Sequence, residues 1–285
     1  MERVVNNLKT FVLLAVLGGI LVVVGDLLAG RGGATIGLIL GLLIAGYSYW
    51  FSDRTALASA HAQPVSEAQA PELYRIIREL ASADGIPMPR VYVTPEAQPN
   101  AFATGRNERH AAVAVTAGLL GTLNEEEVRG VLAHELSHVR NHDILIGSVA
   151  AAIAMGITFV ARALMWTGGG TERRRSSVLG VLALAVLAPI AATIVQLAVS
   201  RTRETGADLS GAALIGTGRP LESALRKLDA AARAVPMNVD PAQATMYIIN
   251  PLTGRRVSFA QLFSTHPPTA ERIARLEAFD AAHAR

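Results

Sequence analysis

Four strongly apolar segments interrupt an otherwise polar chain. They cover approximately residues 11–29, 34–51, 144–166 and 178–199. A helix needs about 20 apolar residues to cross the hydrocarbon core of a bilayer, and each segment is near that length. The pattern therefore predicts four membrane-spanning helices in two hairpins, the first closing through a short turn at 30–33.

The two apolar pairs divide the chain into four parts. Residues 1–51 form an N-terminal transmembrane hairpin, and residues 144–199 form a second hydrophobic hairpin. Residues 52–143 and 200–285 are two pieces of one polar domain, separated in sequence by the second hairpin. The membrane part and the polar part are therefore expected to be interleaved.

Each apolar pair has an alternative interpretation. A cleaved signal peptide would account for the basic start at Arg3 and Lys9 and for the small residues at 56–60. Two apolar segments precede those small residues, however, and the first is long for a signal peptide, so an uncleaved hairpin is favoured. The second pair could instead be a buried core hairpin, but its length and low charge favour a membrane location.

Basic residues near the segment ends predict the side on which the termini lie. Under the positive-inside rule, a small excess of six over four favours cytoplasmic termini. The terminal side carries Arg3, Lys9, Arg54, Arg140, Arg201 and Arg203, and the other side carries Arg31, Arg173, Arg174 and Arg175. The run 173–175 argues against this orientation and would be simpler to explain if the second pair did not fully cross.

The polar pieces show the periodicities of a mainly α domain with a small β-sheet, an α+β fold. Strands of alternating polarity are joined by a turn at 105–107, and a sheet of three or four strands is expected. The predicted helices cover 71–83, 204–215, 220–234 and 270–282, and the predicted strands cover 91–93, 100–104 and 111–115.

A further helix has a well-defined start. Asn124 is placed to cap it, and Glu127 three residues later completes a capping-box pattern. Acidic residues in the first turn also suit the positive end of the helix dipole. The apolar face of this helix consists of Val128, Val131, Leu132, Leu136 and Val139.

The amino-acid composition limits the partners and the metal ligands that the chain can have. Hydrophobic residues make up 51% of the chain and charged residues 17%, and the formal net charge is +3. Mean hydropathy is +0.35. We find no basic patch with interleaved aromatic residues, so nucleic acid is not expected as a partner. The chain has no cysteine, so any metal must be bound by His, Asp or Glu.

The capped helix carries the sequence His134-Glu135-Leu136-Ser137-His138. Residues four apart lie on one helical face, so both imidazoles can bind one zinc ion with Glu135 beside it. In such a site Glu135 acts as the general base toward a water molecule that the metal activates. The alternative is a surface helix with two unrelated histidines, which the helix cap and the fixed spacing disfavour.

A catalytic zinc site needs a third protein ligand, and the candidates are His142 and Glu204. Three ligands in line along a straight helix cannot reach one ion, because His134 and His142 would be about 12 Å apart. A carboxylate from another helix therefore fits better. Asp208 lies four residues beyond Glu204 and is placed to accept a hydrogen bond from a ligating imidazole.

The candidate ligands lie close to the apolar segments. Ile144 would follow His138 by about 9 Å along a continuing helix, and the segment ending near Val199 would lie about 8 Å from Glu204. We therefore expect both ligand-bearing helices to be extensions of membrane helices. A zinc site near the membrane surface would favour substrates in or near the bilayer.

Four stretches together resemble the HtpX-type membrane metallopeptidases, relatives of the CaaX prenyl proteases. They lie between residues 99 and 268, and the paired apolar segments match as well. The stretches are Pro99–Gly105, His134–His138, Ser200–Asp208 and Phe263–Pro268.

The resemblance implies a zincin-like metallopeptidase domain with one zinc held by His134, His138 and Glu204 and with Glu135 as the base. It also implies an endopeptidase of the bacterial cytoplasmic (inner) membrane whose active site faces the cytoplasm. Its expected role is quality control of misfolded membrane proteins under stress, and other quality-control proteases are expected partners.

Substrate in such proteases lies as an added strand along a sheet edge. The resemblance places Asn100 at that edge as a ligand of the substrate backbone. It also makes His266 a catalytic residue and Arg272 a substrate-binding residue, a pair that steadies the oxyanion or the substrate. The alternative roles are a turn-capping Asn100, a helix stop at His266 and a surface position for Arg272.

Two other functions are compatible with parts of the pattern. A CaaX-type protease acting on lipidated C-termini would have the same metal site, but such proteases have more membrane helices. A membrane scaffold or transporter could use zinc structurally. Asp26 is the only acidic residue in an apolar segment, and the chain shows no intramembrane charge relay that would indicate an ion path.

Overall fold

The computed structural model describes residues 2–150, 201–235, 237, 239, 243–251 and 267–283. Most of the predicted second hairpin and the candidate residue His266 lie outside the described residues. The helices are α1 (Glu2–Ser59), α2 (Pro71–Asp84), α3 (Ala117–Thr122), α4 (Glu125–Arg140), α5 (Arg201–Ile215), α6 (Arg219–Ala234) and α7 (Thr269–His283). The strands are β1 (Gln63–Pro64), β2 (Arg90–Thr94), β3 (Ala101–Thr104) and β4 (Ala112–Thr116).

Helix α1 folds back on itself at Gly30. A straight helix would separate Gly18 from Gly41 by about 35 Å. Instead, a Cβ placed on Gly41 would lie only 3.0 Å from the Cα of Gly18. Gly30 has a left-handed φ of 60°, which glycine adopts at little cost. The first apolar pair is therefore a hairpin whose two arms meet at glycine residues.

The second arm of this hairpin has the character of a membrane helix. Within the described residues, one helical stretch, Gly30–Ser59, is long and apolar enough to cross a bilayer. Only 17% of the residues in its most apolar 18-residue part are buried in the protein. Large apolar side chains on it face outward, including Ile36, Leu42, Leu43 and Trp50. Four crossings are not established by the described residues.

The sheet has the order β1-β2-β4-β3. Strands β2 and β4 are parallel, whereas β1 and β3 pair antiparallel with their neighbours and form the two edges. The three predicted strands are confirmed to within one residue. Strand β1 was not predicted, because two residues are too few for an alternating pattern.

The two faces of the sheet are covered by different parts of the chain. On one face, Val91, Val113 and Val115 belong to the core that includes α2 and α4. On the other face, Phe102, Ala112 and Ala114 pack with the end of α1 at Ala56, Leu57 and Ala60. The hairpin is thus attached to the sheet by a buried apolar contact at its C-terminal end.

Helix α4 lies at the centre of the polar domain. Its N-terminus has the predicted capping box: Glu127 N–H donates to Asn124 Oδ1 and Asn124 N–H donates to Glu127 Oε2, both at 2.9 Å. Its apolar face is buried, with Leu132 and Leu136 fully covered. Helices α5 and α6 make its most extensive contacts.

The expected continuation of α4 into the third apolar segment is wrong. The helix ends at Arg140, and His142 adopts a left-handed φ of 59° before a helical stretch resumes at 143–150. This backbone conformation changes the chain direction between the metal motif and the apolar segment. The residues before α5 lie outside the described residues, so the continuity of α5 with the fourth apolar segment stays a prediction.

The remaining helix predictions agree with the structure within about three residues at each end. Helix α3 was not predicted because its sequence Ala-Gly-Leu-Leu-Gly-Thr lacks an amphipathic repeat. The side chain of Thr116 starts it by accepting a hydrogen bond from Leu119 N–H at 3.0 Å. The segment predicted as a loop after α6 contains a short 3₁₀ turn at Gln243–Met246.

Candidate metal centre

Helices α4 and α5 bring His134, His138 and Glu204 together. The Nε2 atoms of the two histidines are 3.2 Å apart. Glu204 Oε2 lies 3.8 Å from His134 Nε2, and Glu204 Oε1 lies 3.6 Å from His138 Nε2. The one-turn spacing of the histidines and the crossing of α5 over α4 thus create a compact set of three donor atoms.

Glycine at position 211 allows this close crossing. A Cβ on Gly211 would lie 2.9 Å from the backbone nitrogen of His134 and 3.0 Å from the carbonyl carbon of Ala133. Both are backbone atoms that cannot rotate away. The absence of a side chain at Gly211 therefore lets α5 approach α4 at the first histidine, which brings Glu204 and Asp208 within reach of the imidazoles.

The outer nitrogen of each imidazole faces a carboxylate. His134 Nδ1 is 2.9 Å from Asp208 Oδ1, and His138 Nδ1 is 3.1 Å from Asp143 Oδ2. An ionised carboxylate accepts the Nδ1–H hydrogen, which leaves Nε2 with a free lone pair. Both lone pairs then point to the same place, next to Glu204.

This donor set fits one metal ion. A tetrahedral ion with bonds of about 2.0–2.1 Å, as zinc has, separates its ligand atoms by about 3.3 Å. The observed separations of 3.2, 3.6 and 3.8 Å are close to that value. If neither Nε2 carried a proton, the two facing lone pairs would repel each other, and a metal cation between them removes that repulsion. The three residues could therefore hold a metal.

Asp208 is held ionised by its neighbours. Arg272 donates from Nη2 to Asp208 Oδ1 at 2.7 Å and from Nε to Asp208 Oδ2 at 2.9 Å. Both residues are fully buried. Burial alone would raise the pKa of Asp208, but the charge of Arg272 and the hydrogen bond with His134 outweigh it and hold the pKa well below its usual range. The charge pattern keeps Asp208 available as an acceptor for His134.

The surroundings of His138 raise its pKa, whereas those of Asp208 lower the pKa of that carboxyl. Burial alone would lower the pKa of its imidazole, but the carboxylates of Glu204, Asp143 and Glu135 outweigh burial and raise the pKa to about 9. Without a metal, a proton is thus the stabilising positive charge at this position. A divalent cation would take the place of that proton.

A cleft opens directly over the candidate ligands. Glu135 lines it together with His134, His138 and Glu204, and Glu135 itself is only 2% exposed. The remaining wall is mostly apolar, and part of it belongs to the helical stretch that begins at 143. Its apolar residues are Ala103, Ile144, Gly147, Met246 and Ile248, and its polar residues are Asp143, Ser148 and Arg203.

Asn100 and Arg272 have contacts that the sequence did not indicate. Asn100 is fully buried; its Nδ2 donates to Ile249 O at 2.9 Å and its Oδ1 accepts from Ile249 N–H at 3.3 Å. Arg272 also donates from Nη1 to Ile248 O at 2.8 Å. Neither side chain is among the described residues that line the cleft. Their roles in substrate binding remain predictions.

His142, the other candidate third ligand, lies apart from the metal cluster. Its Nε2 is 3.3 Å from Glu108 Oε1. The left-handed backbone at His142 turns this side chain away from the stripe it would occupy on a continuous helix. In the described residues, the third member of the cluster is Glu204.

Sequence reasoning did not identify Asp143 or Ile248. Asp143 is five residues beyond His138, a spacing that does not bring side chains together on a helix. Only the turn at His142 makes the contact possible. Ile248 lies in a segment without periodicity, and its N–H donates to Ala101 O at the sheet edge at 3.0 Å. No sequence signal predicts that pairing.

Comparison with known proteins agrees with the geometry of this centre. The model of peptidase family M48 matches residues 67–280, which include both metal-bearing helices. The chain belongs to peptidase family M48. It is therefore a metalloprotease, a hydrolase, as the metal motif predicts.

Several M48 relatives match over nearly the full chain. A "Protease HtpX homolog" of Pelotomaculum thermopropionicum is 48% identical over 279 residues, covering 96% of this chain and 99% of the relative. Proteins with the same description from Desulfatibacillum aliphaticivorans and Bifidobacterium longum are each 48% identical, cover 95% of this chain, and are themselves covered to 89% and 91%. The resemblance to HtpX-type proteases is confirmed.

A solved structure shares the fold. The crystal structure of Ste24p from S. mikatae aligns with 97% of this chain and 66% of its own chain, with a TM-score of 0.53 and 18% identity. The chain thus spans about two thirds of that protein. The family match, the HtpX-type relatives and the apolar stretch Gly30–Ser59 together support a membrane metalloprotease.

Proposed function

We propose that this protein is a zinc-dependent endopeptidase of the bacterial cytoplasmic membrane that hydrolyses misfolded or damaged membrane proteins. The observation that carries this proposal is the set of two Nε2 atoms and one carboxylate beside the buried Glu135. Two imidazoles and a glutamate are a ligand set of catalytic zinc, which keeps one position open for water or substrate. We expect one zinc per chain.

When bound, the metal would supply a Lewis acid that activates a water molecule and polarises the scissile carbonyl. The residues of the chain hold and direct the reacting groups. Glu135 lines the same cleft as the three ligands, so its carboxylate is placed to take the proton of the attacking water and deliver it to the leaving amine. The apolar part of the cleft wall limits the access of bulk water.

The edge of the sheet offers a place for the substrate backbone. Alternate residues of an antiparallel edge strand direct their N–H and C=O groups away from the sheet. Asn100 O pairs inward with Thr116 N–H, whereas Ala101 O faces outward and accepts from Ile248 N–H. Ala103, two residues further, faces the same way and lines the cleft. We infer that an extended substrate pairs with Ala103 and that Ile248 limits its extent on one side.

The membrane hairpin supports a substrate within or next to the bilayer. The end of α1 packs against the sheet that carries the cleft, and the helical stretch leading to the third apolar segment forms part of the cleft wall. The proposed arrangement has four membrane-spanning helices and the catalytic domain on the cytoplasmic side. Quality control under stress is the role that the HtpX-type resemblance favours.

Replacing Glu135 with Gln tests this function. The amide is nearly isosteric, so we expect Glu135→Gln to keep its fold and its zinc content. Loss of the general base should lower cleavage of an unfolded membrane protein by about 100-fold or more. Glu126→Gln is the matched control, because Glu126 lies on the same helix with a side chain that is 69% exposed.

Both variants should be assayed in detergent and in liposomes, with chelator and with zinc added back. Undiminished cleavage by Glu135→Gln would contradict the peptidase mechanism. A prenylated C-terminal peptide in a parallel reaction distinguishes the CaaX-type alternative. Cleavage of that peptide in place of the unfolded membrane protein would contradict the proposed substrate class.

A further inference from the structure

Each histidine of the centre has its own carboxylate, and each carboxylate has its own arginine. On one side, His134 contacts Asp208, which is bound by Arg272. On the other side, His138 contacts Asp143, and Arg203 Nη1 lies 3.7 Å from Asp143 Oδ1. The contact between His134 and Asp208 was expected from the spacing of Glu204 and Asp208. The contact between His138 and Asp143 is visible only in the folded chain.

A special backbone turn places Asp143 against His138. On a continuous helix, residues five apart would point in directions about 140° apart around the axis. Instead α4 ends at Arg140, and His142 adopts a left-handed φ of 59°. A non-glycine residue in this region costs free energy, of order 1 kcal/mol or more. The contact between Asp143 and His138 is therefore specified by a costly turn.

Asp143 and Arg203 are also well shielded from water. Their side chains are 8% and 12% exposed. Arg203 directly precedes Glu204 on α5, so neighbouring residues of one helix contact the Asp143 carboxylate and the metal cluster. The contact joins the start of the helical stretch 143–150 to the start of α5, on the side of the centre where the chain leads to the third apolar segment.

We propose that Asp143 is a positioning residue for His138: it accepts the Nδ1–H hydrogen bond, fixes the tautomer, and directs Nε2 to the metal, while Arg203 holds Asp143 in place. This inference rests on the proposed zinc centre. It adds to that centre a second carboxylate–histidine pair, Asp143 with His138, which Arg203 of α5 supports. A purely structural role, as the start of the helical stretch at 143–150, would not require contact with the imidazole.

The test measures zinc affinity of the full chain in detergent for Asp143→Ala and Asp143→Asn. Loss of an outer carboxylate partner of a ligating histidine weakens metal binding by about 10- to 100-fold. We expect this loss for Asp143→Ala and a smaller loss for Asp143→Asn, whose amide oxygen can still accept the hydrogen bond. Arg203→Gln should also weaken binding, by less than Asp143→Ala.

Asp84 offers a matched control. It forms an ion pair with Arg140, the last residue of α4, at 2.7 Å, and its side chain is 4% exposed. Asp84→Ala thus removes an aspartate–arginine pair from the same helix end without touching His138. Its zinc affinity should stay within about twofold of wild type, in contrast to the loss expected for Asp143→Ala.

A second readout separates positioning from stability. The cobalt-loaded protein should show a changed visible absorption spectrum in Asp143→Ala and an unchanged one in Asp84→Ala, because only the first alters a ligating imidazole. At saturating zinc, kcat should fall in Asp143→Ala while KM stays within about twofold.

Equal zinc affinities of wild type and Asp143→Ala would overturn the inference, as would an equal loss in Asp84→Ala. If Asp143→Ala does not fold, unchanged affinity together with an unchanged cobalt spectrum in Asp143→Asn and Arg203→Gln would overturn it. A wild-type protein that binds no zinc would instead overturn the proposed metal centre itself, so the two failures are distinguishable.

Discussion

His138 shows how neighbouring charges determine the state of a single side chain. Burial alone would lower the pKa of this partly buried imidazole, but three carboxylates face it and raise its pKa to about 9. In the metal-free protein His138 is therefore protonated at neutral pH. Metal binding needs its neutral form, so a proton and the metal compete for the same nitrogen.

This competition predicts a pH dependence of zinc affinity. Between about pH 7 and 9, affinity should rise by up to about tenfold per pH unit, and the His138 contribution should level off above the pKa. Calorimetry in buffers of different ionisation enthalpy should detect about one proton released from His138 per zinc at pH 7.5. An affinity that does not change across this range would contradict the charge arrangement.

The raised pKa of His138 also predicts how the stability of the metal-free protein changes with pH. The folded-state pKa of His138 lies above its ordinary value, so the stabilising contribution of the imidazolium is fully present below about pH 6.5. It is lost as pH rises from there through about 9. Thermal unfolding of the metal-free protein over this range would measure it.

At the residue scale, the sequence predicts those site residues whose positions follow from the periodicity of a single helix. His134 and His138 were identifiable because a helix brings residues four apart to one face, and the Asn124 cap indicated that the helix forms. Glu204 and Asp208 could be ranked as candidates on another helix. Asp143 could not, because its position depends on the left-handed turn at His142, for which the residue type gives no signal.

Among the elements, the crossing of α5 over α4 positions the whole centre, and the two backbones approach closely at Gly211. Gly211→Ala should force the two backbones apart, because the new Cβ would meet backbone atoms of Ala133 and His134 at 3.0 and 2.9 Å. We expect a destabilisation of about 1–3 kcal/mol and weaker zinc binding. Both would be measured by thermal unfolding and by competition with a chelator.

Gly206→Ala is the matched control on the same helix. Its Cβ would meet nothing within 4 Å. Because alanine favours the helix over glycine by about 1 kcal/mol, this variant should be as stable as wild type or more stable. Equal destabilisation by both substitutions would show that the effect arises from helix α5 alone and not from its contact with α4.

Element existence was largely predictable, whereas element continuity was not. Amphipathic spacing and strand alternation predict α2, α4, α6 and three strands within a few residues. The predicted continuation of α4 into the apolar segment was wrong because the backbone turns within the polar stretch 140–143, at Asn141 and His142, and residue type gives no clear signal for the left-handed conformation of His142. The short strand β1 forms only because β2 offers it a partner, so no local pattern could predict it.

At the scale of the whole molecule, the apolar hairpin is fixed to the catalytic domain. The contact of Ala56, Leu57 and Ala60 with the sheet joins the membrane part to the strand layer that carries the cleft. The predicted orientation places the polar domain in the cytoplasm and both hairpin turns outside. The absence of cysteine makes this orientation directly testable by labelling.

Three single-cysteine variants test the topology in spheroplasts with a membrane-impermeant thiol reagent. Gly32→Cys and Gly169→Cys should be labelled from outside, because they lie in the two predicted hairpin turns. Ser82→Cys, an exposed position at the end of α2, should be labelled only after permeabilisation. Labelling of Gly169→Cys only after permeabilisation would show that the second hairpin does not cross the membrane.

The central claim is that His134, His138 and Glu204 hold one zinc ion. Its most direct test is elemental analysis of purified wild type, Glu204→Ala and His142→Ala. We predict about one zinc per chain in wild type and in His142→Ala, and a large loss in Glu204→Ala, because removing one of three protein ligands leaves the ion held by two. Full zinc content in Glu204→Ala together with loss in His142→Ala would contradict the account and make His142 the third ligand.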